Sequence, residues 1–358
     1  MSLKYQQIAD ALEHKISEGI YPPATMLPTE SELCLEYDVS RQTIRKALSC
    51  LEQAGLISRR QGSGSRVLSQ SSVSGVPAEG HRTVAIITTY ISDYIFPSIL
   101  RGAEAQLAAN DCSILLYATN NQVAVERRIL QTLLTLPSLD GLIVEGTKTA
   151  LPNPNLFLYE QLRSKKVPIV FLNGYYTDFP DVCYVLDDNY GGGYQLVEYL
   201  VQKGHRQIAG IFKSDDLQGI QRYSGYIAAL LKNQLPINDS HVYWYSTETK
   251  PNLDTEYPIQ QMLRVIEGCS AVVCYNDEVA NLLVRTLLRK GIQIPDAVAI
   301  VSFDNSHYSD SALLRITSLS HENTNTGELA ARLLLKIMAG QRCESQVIPW
   351  KIIEKETS

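Results

Sequence analysis

From residue 83 to residue 304 the chain repeats one pattern: a short, evenly apolar run, then a stretch with helical spacing. The runs read TVAIITT (83–89), SILLYAT (113–119), GLIVEG (141–146) and VPIVFLNG (167–174). They resume as CYVLDD (183–188), QIAGIF (207–212), HVYWYS (241–246), AVVCYN (271–276) and VAIVSFD (298–304). Strands that are apolar on both faces belong to parallel sheets covered by helices on either side. The pattern therefore predicts an α/β body over residues 83–358, and the restart at CYVLDD predicts two subdomains. In open parallel sheets a ligand binds beyond the carboxyl ends of the strands. The polar residues that follow each run are where chemistry is expected.

The first 68 residues carry a different pattern. A helix over Tyr5–Glu18 sets Ile8, Leu12 and Ile16 on one face. A second, Glu30–Tyr37, opens with the capping box Thr29-x-x-Glu32. A third lies in VSRQTIRKALSCLEQAG (39–55), where Ile44, Ala47, Leu48 and Leu51 mark the buried face, Ser40 is the N-cap and Gly55 the stop. LISRR and SRVLS then flank the turn Gln61-Gly62-Ser63-Gly64, a hairpin signal. Three helices and a glycine-tipped hairpin predict a winged helix-turn-helix over residues 1–68. Residues 69–82, SQSSVSGVPAEGHR, have no apolar periodicity and read as a linker.

Charge is distributed unevenly. The formal net charge is −6, yet residues 1–68 balance eight basic against eight acidic side chains. Within them, Val39 to Arg66 holds Arg41, Arg45, Lys46, Arg59, Arg60 and Arg66 against Glu52 alone. In a helix-turn-helix the N-terminal residues of the second helix meet base edges. The fork of Arg41 or Arg45 matches guanine O6 and N7. Gln42 and Thr43 add base or phosphate contacts, and a wing built on Gln61 and Gly62 can approach a minor groove. Three cations alone favour a solvated helix face; the helix-turn-helix spacing, the basic hairpin and the linker shift the reading to double-stranded DNA. A local patch suffices, because counterion release depends on phosphates contacted rather than on net charge.

Several functions are excluded. The seven cysteines are scattered, form no CxxC pair and lack zinc-ligand spacing, so they read as reduced core residues and no metal or cofactor is expected. The N-terminus is an amphipathic helix start rather than a signal peptide, and no run of 18 apolar residues occurs, which predicts a cytoplasmic protein with no membrane contact. Six scattered histidines and no Ser-His-Asp order argue against an enzyme. Glycoside hydrolysis by paired carboxylates is the rival reading. A sugar receptor without regulation is a third, but it needs a secretory signal and has no use for a basic helix.

The strand ends of the body concentrate polar and aromatic side chains: Tyr90, Asp93, Tyr94 and Phe96; Glu145 and Lys148; Asn173, Tyr175 and Tyr176; Arg222; Asn276 and Asp277; Asp304 and His307. A sugar needs this mixture, with carboxylates, amides and guanidinium for its hydroxyls and rings for its C–H face. Asp187-Asp188 before Gly191–Gly193 reads as a helix cap and close packing, and that run is not a dinucleotide fingerprint.

Residues 3–67 resemble the DNA-binding domain of GntR-family bacterial regulators through LPTESEL, VSRQTIRKAL, L-x-x-x-GLI and QGSGSRV, in order and in spacing. The resemblance implies base or phosphate contacts from Glu30, Arg41, Thr43, Arg45 and Gln61, backbone contacts from Lys4 and Tyr5, and a homodimer on a pseudo-palindromic operator. Residues 83–350 resemble the effector domain of LacI-family repressors and periplasmic sugar-binding proteins. The marks are RGAE (101–104), DGLIV (140–144), LDDNYGGG (186–193), KGHRQIAGI (203–211), R-x-x-G-Y (222–226), YNDEVA (275–280) and VAIVSFDN (298–305). That resemblance implies two α/β subdomains joined by several crossovers, with a sugar between them. It also implies that Arg222 and Asp304 bond sugar hydroxyls and that Asn276 or Asp277 lines the cleft. The combination, together with TTYISDYIFPSI, is similar to the arabinose-responsive repressors of Gram-positive bacteria and implies L-arabinose as effector. A different pentose, a hexose, a sugar phosphate or an activator's role are the alternatives. The hinge helix of LacI relatives is replaced here by the Ser/Gly linker, so their hinge-ordering mechanism does not carry over.

Overall fold

The computed structural model describes residues 4–17, 20–22, 25–53, 57–60, 64–67, 82–92, 94–322 and 324–358. The chain divides into two units, Met1–Gly80 and His81–Ser358. The expected stop at Gly55, the turn residues Gln61 and Gly62, residues 69–81 of the expected linker, and Asp93 lie outside the described residues.

The N-terminal unit contains α1 (Lys4–Ser17), α2 (Glu30–Tyr37), α3 (Arg41–Gln53) and an antiparallel pair, β1 (Ile57–Arg60) with β2 (Gly64–Val67). The Thr29 capping box forms on both sides, and Ser40 Oγ accepts from the Thr43 N–H at 3.3 Å. Ile8, Leu12 and Ile16 pack with Leu33, Ile44, Ala47, Leu48 and Leu51 in one core that the two strands close with Ile57 and Val67. Gly64 begins β2 rather than ending the turn.

The C-terminal unit has two lobes. The first begins with β3 (Arg82–Thr88), α4 (Phe96–Ala108), β4 (Cys112–Ala118), α5 (Val123–Thr135), β5 (Gly141–Val144), α6 (Leu156–Ser164), β6 (Ile169–Leu172) and β7 (Cys183–Asp187). The chain then crosses to the second lobe for α7 (Asn189–Gln202), β8 (Ile208–Lys213), α8 (Leu217–Lys232), β9 (Val242–Tyr245), α9 (Glu256–Ile266), β10 (Ala271–Cys274), α10 (Asp277–Arg289), β11 (Ala299–Phe303), α11 (His307–Ser311) and β12 (Thr317–Ser320). It returns for α12 (Thr326–Met338) and β13 (Gln346–Ile348) and ends in the second lobe with β14 (Lys351–Ile353). The sheets run β13-β7-β6-β5-β3-β4 and β14-β12-β11-β10-β8-β9, with only the β12–β14 pair antiparallel.

Each sheet is buried on both faces, as evenly apolar strands require. In the first lobe Val84, Ile86 and Ile143 meet α4 and α12, while Ala85, Ile87 and Leu142 meet α5 and α6. In the second, Ile211, Val272 and Ile300 meet α9 and α10, while Phe212, Val273 and Val301 meet α7 and α8.

Three expectations change. CYVLD belongs to the first sheet instead of opening the second, because β7 pairs in parallel with β6 before the chain crosses. TSLS, QVI and KII are strands that no apolar run announces; they are three or four residues long and take their place from the crossovers. Arg82 belongs to β3 rather than to the linker, with its guanidinium donating to the Asn110 carbonyl at 3.1 Å. The cysteines also differ. Cys183 and Cys343 lie side by side with Cα atoms 5.9 Å apart, within disulfide range, because β13 pairs with β7. Cys34, Cys50, Cys112, Cys269 and Cys274 are free.

Candidate functional site

The carboxyl ends of eight parallel strands converge on one cavity of about 90 Å³ between the two lobes. Thr89 follows β3, Asn121 follows β4, Glu145 and Gly146 follow β5, and Asn173 and Gly174 follow β6. From the second lobe come Lys213 ending β8, Tyr245 ending β9, Tyr275 and Asn276 after β10, and Asp304 after β11. This is the topological position at which an open parallel sheet leaves its loops free to surround a ligand.

The charged groups on the wall are each held by a neighbour. Glu145 accepts from the Thr89 N–H at 2.8 Å and, through its other oxygen, from Asn173 Nδ2 at 2.9 Å. One carboxylate thus ties together the ends of β3, β5 and β6. Burial pushes the Glu145 carboxyl up, and the hydrogen bonds from Thr89 and Asn173 hold it partly back. Asp216 accepts from Lys213 Nζ at 2.9 Å and from the Tyr275 hydroxyl at 2.8 Å, while its other oxygen caps α8 at the Gly219 N–H. Burial acts against the Lys213 charge, but Asp216 and Asp215 outweigh it and its pKa rises. Lys250 pairs with Glu278 at 2.7 Å and lies over the Tyr90 ring at 5.3 Å. Tyr90 and Phe96 meet edge to face, giving an aromatic corner on the first-lobe side.

Behind this wall stands Arg222, 1% exposed. Its Nε donates to Asn189 Oδ1 at 2.8 Å, and its two terminal nitrogens donate to the Tyr275 carbonyl at 2.6 Å and to Asp304 Oδ1 at 3.2 Å. Phe303 covers the guanidinium at 4.2 Å. A buried cation held at three points leaves Asp304 with a fixed orientation. Burial pushes the Asp304 carboxyl up and Arg222 opposes that rise. The other oxygen of Asp304 accepts from the Tyr94 hydroxyl at 2.6 Å, a contact between the lobes.

Of the fourteen body residues singled out in the sequence, Tyr90, Tyr94, Phe96, Glu145, Asn173, Asn276 and Asp304 share the cavity wall. Asp93 lies outside the described residues, and the other six do not line the wall. Tyr176 is buried, with its hydroxyl donating to Glu126 Oε1 at 2.6 Å. Arg222 is one layer behind, holding Asp304. Asp277 is fully buried and accepts from the Ser306 N–H at 2.6 Å and the Ser318 hydroxyl at 2.7 Å. Burial and then the Asp304 charge push its carboxyl up to about 7, against those hydrogen bonds. Lys148 pairs across the cleft with Glu248 and approaches Asp215 at 3.9 Å. Tyr175 stacks flat on Tyr184 at 4.9 Å, and the exposed His307 packs on its neighbour Tyr308. Thr89, Asn121, Lys213, Tyr245 and Tyr275 were missed, although each sits within three residues of a strand's last residue, where the strand-end rule points. Gln218 and Lys250 carry no such signal.

In the N-terminal unit Arg41 and Arg45 project exposed guanidinium groups from the start of α3. Arg45 Nε donates to both oxygens of Glu30 at 3.1 and 3.0 Å, and Arg41 lies 3.6 Å from the same carboxylate while donating to Ser31 Oγ at 3.1 Å. Glu30 therefore sets the spacing of the two forks, a role its position in α2 does not reveal. Lys46 lies over the Tyr5 ring at 5.8 Å, near the exposed Lys4 at the start of α1. Gln42 is exposed, and Thr43 is turned to the Ser40 hydroxyl at 2.9 Å.

Residues 4–67 match the model of the gntR family of bacterial regulatory proteins, and residues 197–358 match a periplasmic binding protein-like domain. The chain is 35% identical over 347 residues to the arabinose metabolism transcriptional repressor of Halalkalibacterium halodurans, covering 96% of this chain and 91% of that one. To the protein of the same description from Geobacillus stearothermophilus it is 37% identical over 336 residues, covering 94% and 91%. Among solved structures, the transcription regulator CcpA of Lactococcus lactis superposes with a TM-score of 0.68 at 25% identity, over 78% of this chain and 99% of that one.

Proposed function

The chain belongs to the family of the arabinose metabolism transcriptional repressors, and from that membership we propose which sugar it senses and how the sugar acts. It is a DNA-binding transcriptional repressor of carbohydrate-utilisation genes and not an enzyme. Its effector is L-arabinose, held in the strand-end cavity. Asp304, oriented by Arg222, and Glu145, held by Thr89 and Asn173, accept sugar hydroxyls. The rings of Tyr90, Phe96, Tyr245 and Tyr275 cover its C–H face.

Charge balance carries the choice of a neutral ligand. The two wall cations are already neutralised, Lys213 by Asp215 and Asp216 and Lys250 by Glu278. A phosphorylated sugar would meet Glu145 and Asp304 with no cation left over to receive it. Titration calorimetry with L-arabinose and with D-arabinose 5-phosphate tests this: heat from the first alone is expected, and heat from the phosphate alone overturns the reading.

The operator is read by a homodimer in the cytoplasm. Arg41 and Arg45 contact base edges from α3, with Glu30, Gln42 and Thr43 beside them, Lys4 and Tyr5 on the DNA backbone, and Gln61 and Gly62 in the wing. Sugar favours the closed arrangement of the lobes and lowers operator affinity only by the difference between its affinities for the two states. Tenfold release requires about 1.4 kcal/mol of that coupling, and operator DNA weakens sugar binding by the same factor.

A further inference from the structure

Asp304 faces two cavities. One is the strand-end cavity. The other, about 520 Å³, lies on the crossover side, bounded by Ser306 and His307, by His321 and Asn325 between β12 and α12, and by Trp350 before β14. Tyr94, Ile95, Asn173 and Asp304 stand in both walls, and of these Tyr94 carries the largest side chain. Tyr94 reaches over from the first lobe, with its hydroxyl donating to Asp304 Oδ2 at 2.6 Å and accepting from the Asp277 N–H at 3.2 Å. Its ring stacks on Tyr308 with centroids 6.0 Å apart. The backbone at Tyr94 has φ +58°, a left-handed conformation unusual for a bulky residue. A phenol held at both ends of its reach and at a strained backbone position is a fixed wall rather than a mobile side chain.

We propose that Tyr94 is the specificity-determining partition of the cleft, limiting the effector to a single sugar ring. The proposal rests on the reading of the strand-end cavity as the sugar site. With the partition in place, a ligand that bonds Asp304 from the strand-end side has about 90 Å³, against about 520 Å³ on the crossover side. The smaller space is the share of a single sugar ring. Removing the ring joins this space to the larger cavity, giving a volume of the several-hundred-Å³ class that accommodates larger ligands. The far side is already polar, with Asn305, Ser306, Ser320 and Asn325 on its wall. A second sugar ring linked to the first would find hydrogen-bond partners there. Tyr94 thus excludes a disaccharide by occupying its path while leaving the groups that hold the first ring in place.

The experiment is titration calorimetry on the full-length protein with L-arabinose and with α-1,5-arabinobiose, for the wild type, Tyr94→Gly and Tyr94→Phe. Glycine adopts the left-handed backbone at no cost. Phenylalanine keeps the ring without the hydroxyl. The wild type and Tyr94→Phe are expected to bind L-arabinose and give no heat with arabinobiose. Tyr94→Gly is expected to gain arabinobiose binding at least tenfold above the wild type. Tyr94→Leu, too short to reach Asp304, serves with the same expectation should the glycine variant not fold. If the wild type binds L-arabinose but neither truncation admits arabinobiose, Tyr94 is no partition and the site assignment survives. If Tyr94→Phe admits it as readily as Tyr94→Gly, the ring is not the barrier and the proposal fails. If the wild type gives no heat with L-arabinose, the site assignment fails and the proposal falls with it.

Discussion

The two recognition surfaces of this chain solve opposite problems. The helix-turn-helix face is exposed, cationic and built from one short stretch, Glu30 to Arg45, in which a single carboxylate spaces two arginines. The cavity of the body is buried, nearly charge-compensated and built from loops spread from Thr89 to Asp304. The first suits a polyanion, since each exposed fork can displace counterions and read a base. The second suits a neutral polyol, since each lysine on its wall is already paired with a carboxylate and Glu145 and Asp304 remain as oriented acceptors. Both set a carboxylate beside arginine, but at Glu30 the arginines are exposed and face outward, and at Asp304 the arginine is buried behind the wall.

That contrast can be broken at either end. The largest effect is expected from Asp304→Ala, which leaves buried Arg222 without its hydrogen-bonded carboxylate and with Asp187 at 3.9 Å. Urea unfolding should show a loss of about 3–5 kcal/mol and calorimetry no sugar heat. Operator affinity without sugar should stay within about threefold, and a parallel loss of DNA binding would show that the two surfaces are not separate. Next comes the pH response of Asp277. Its carboxyl is raised from 3.8 to about 7, so the folded protein holds this proton more tightly than the unfolded chain. The stabilising contribution is full below 3.8 and is lost as pH rises to about 7. Measured as wild type minus Asp277→Asn, unfolding free energy should fall by about 4 kcal/mol across that range; a flat difference would contradict the burial argument.

Arg45→Ala should lower operator affinity by about 1–3 kcal/mol in a gel-shift titration while leaving L-arabinose affinity unchanged. An affinity within threefold of wild type would remove Arg45 from base readout. Lys148→Ala should change least. Its partner Glu248 is exposed, so the pair contributes about 0–1 kcal/mol, and L-arabinose affinity should move by less than about fivefold. Complete loss of sugar heat would move Lys148 from the cleft's edge to the ligand itself.

The same contrast explains what the sequence made legible. In the N-terminal unit, the exposed arginine pair follows from local spacing: Arg41 and Arg45 lie one turn apart, opposite an apolar stripe, and the structure keeps them there. The sheets of the body were legible for a similar reason, because strands buried on both faces are apolar throughout. The cavity was legible only in outline. Thr89, Asn121 and Lys213 follow the strand-end rule, but nothing local separates them from ordinary loop polars until eight strand ends converge. Arg222 and Asp277 show the limit from the other side. Their sequence context marks them as part of the site, but burial assigns them to holding Asp304, Ser306 and Ser318 rather than lining the wall. The strands TSLS, QVI and KII are defined by tertiary pairing, so no local pattern announces them.

The central claim is that occupation of the neutral cavity governs the affinity of the cationic face. It is tested most directly by fluorescence anisotropy of labelled promoter DNA from a neighbouring sugar-utilisation operon, titrated at fixed salt with and without saturating L-arabinose. The account predicts tight binding without sugar and at least tenfold weaker binding with it, about 1.4 kcal/mol, with no response to glucose or ribose. DNA affinity that is the same in the presence and absence of L-arabinose would contradict it.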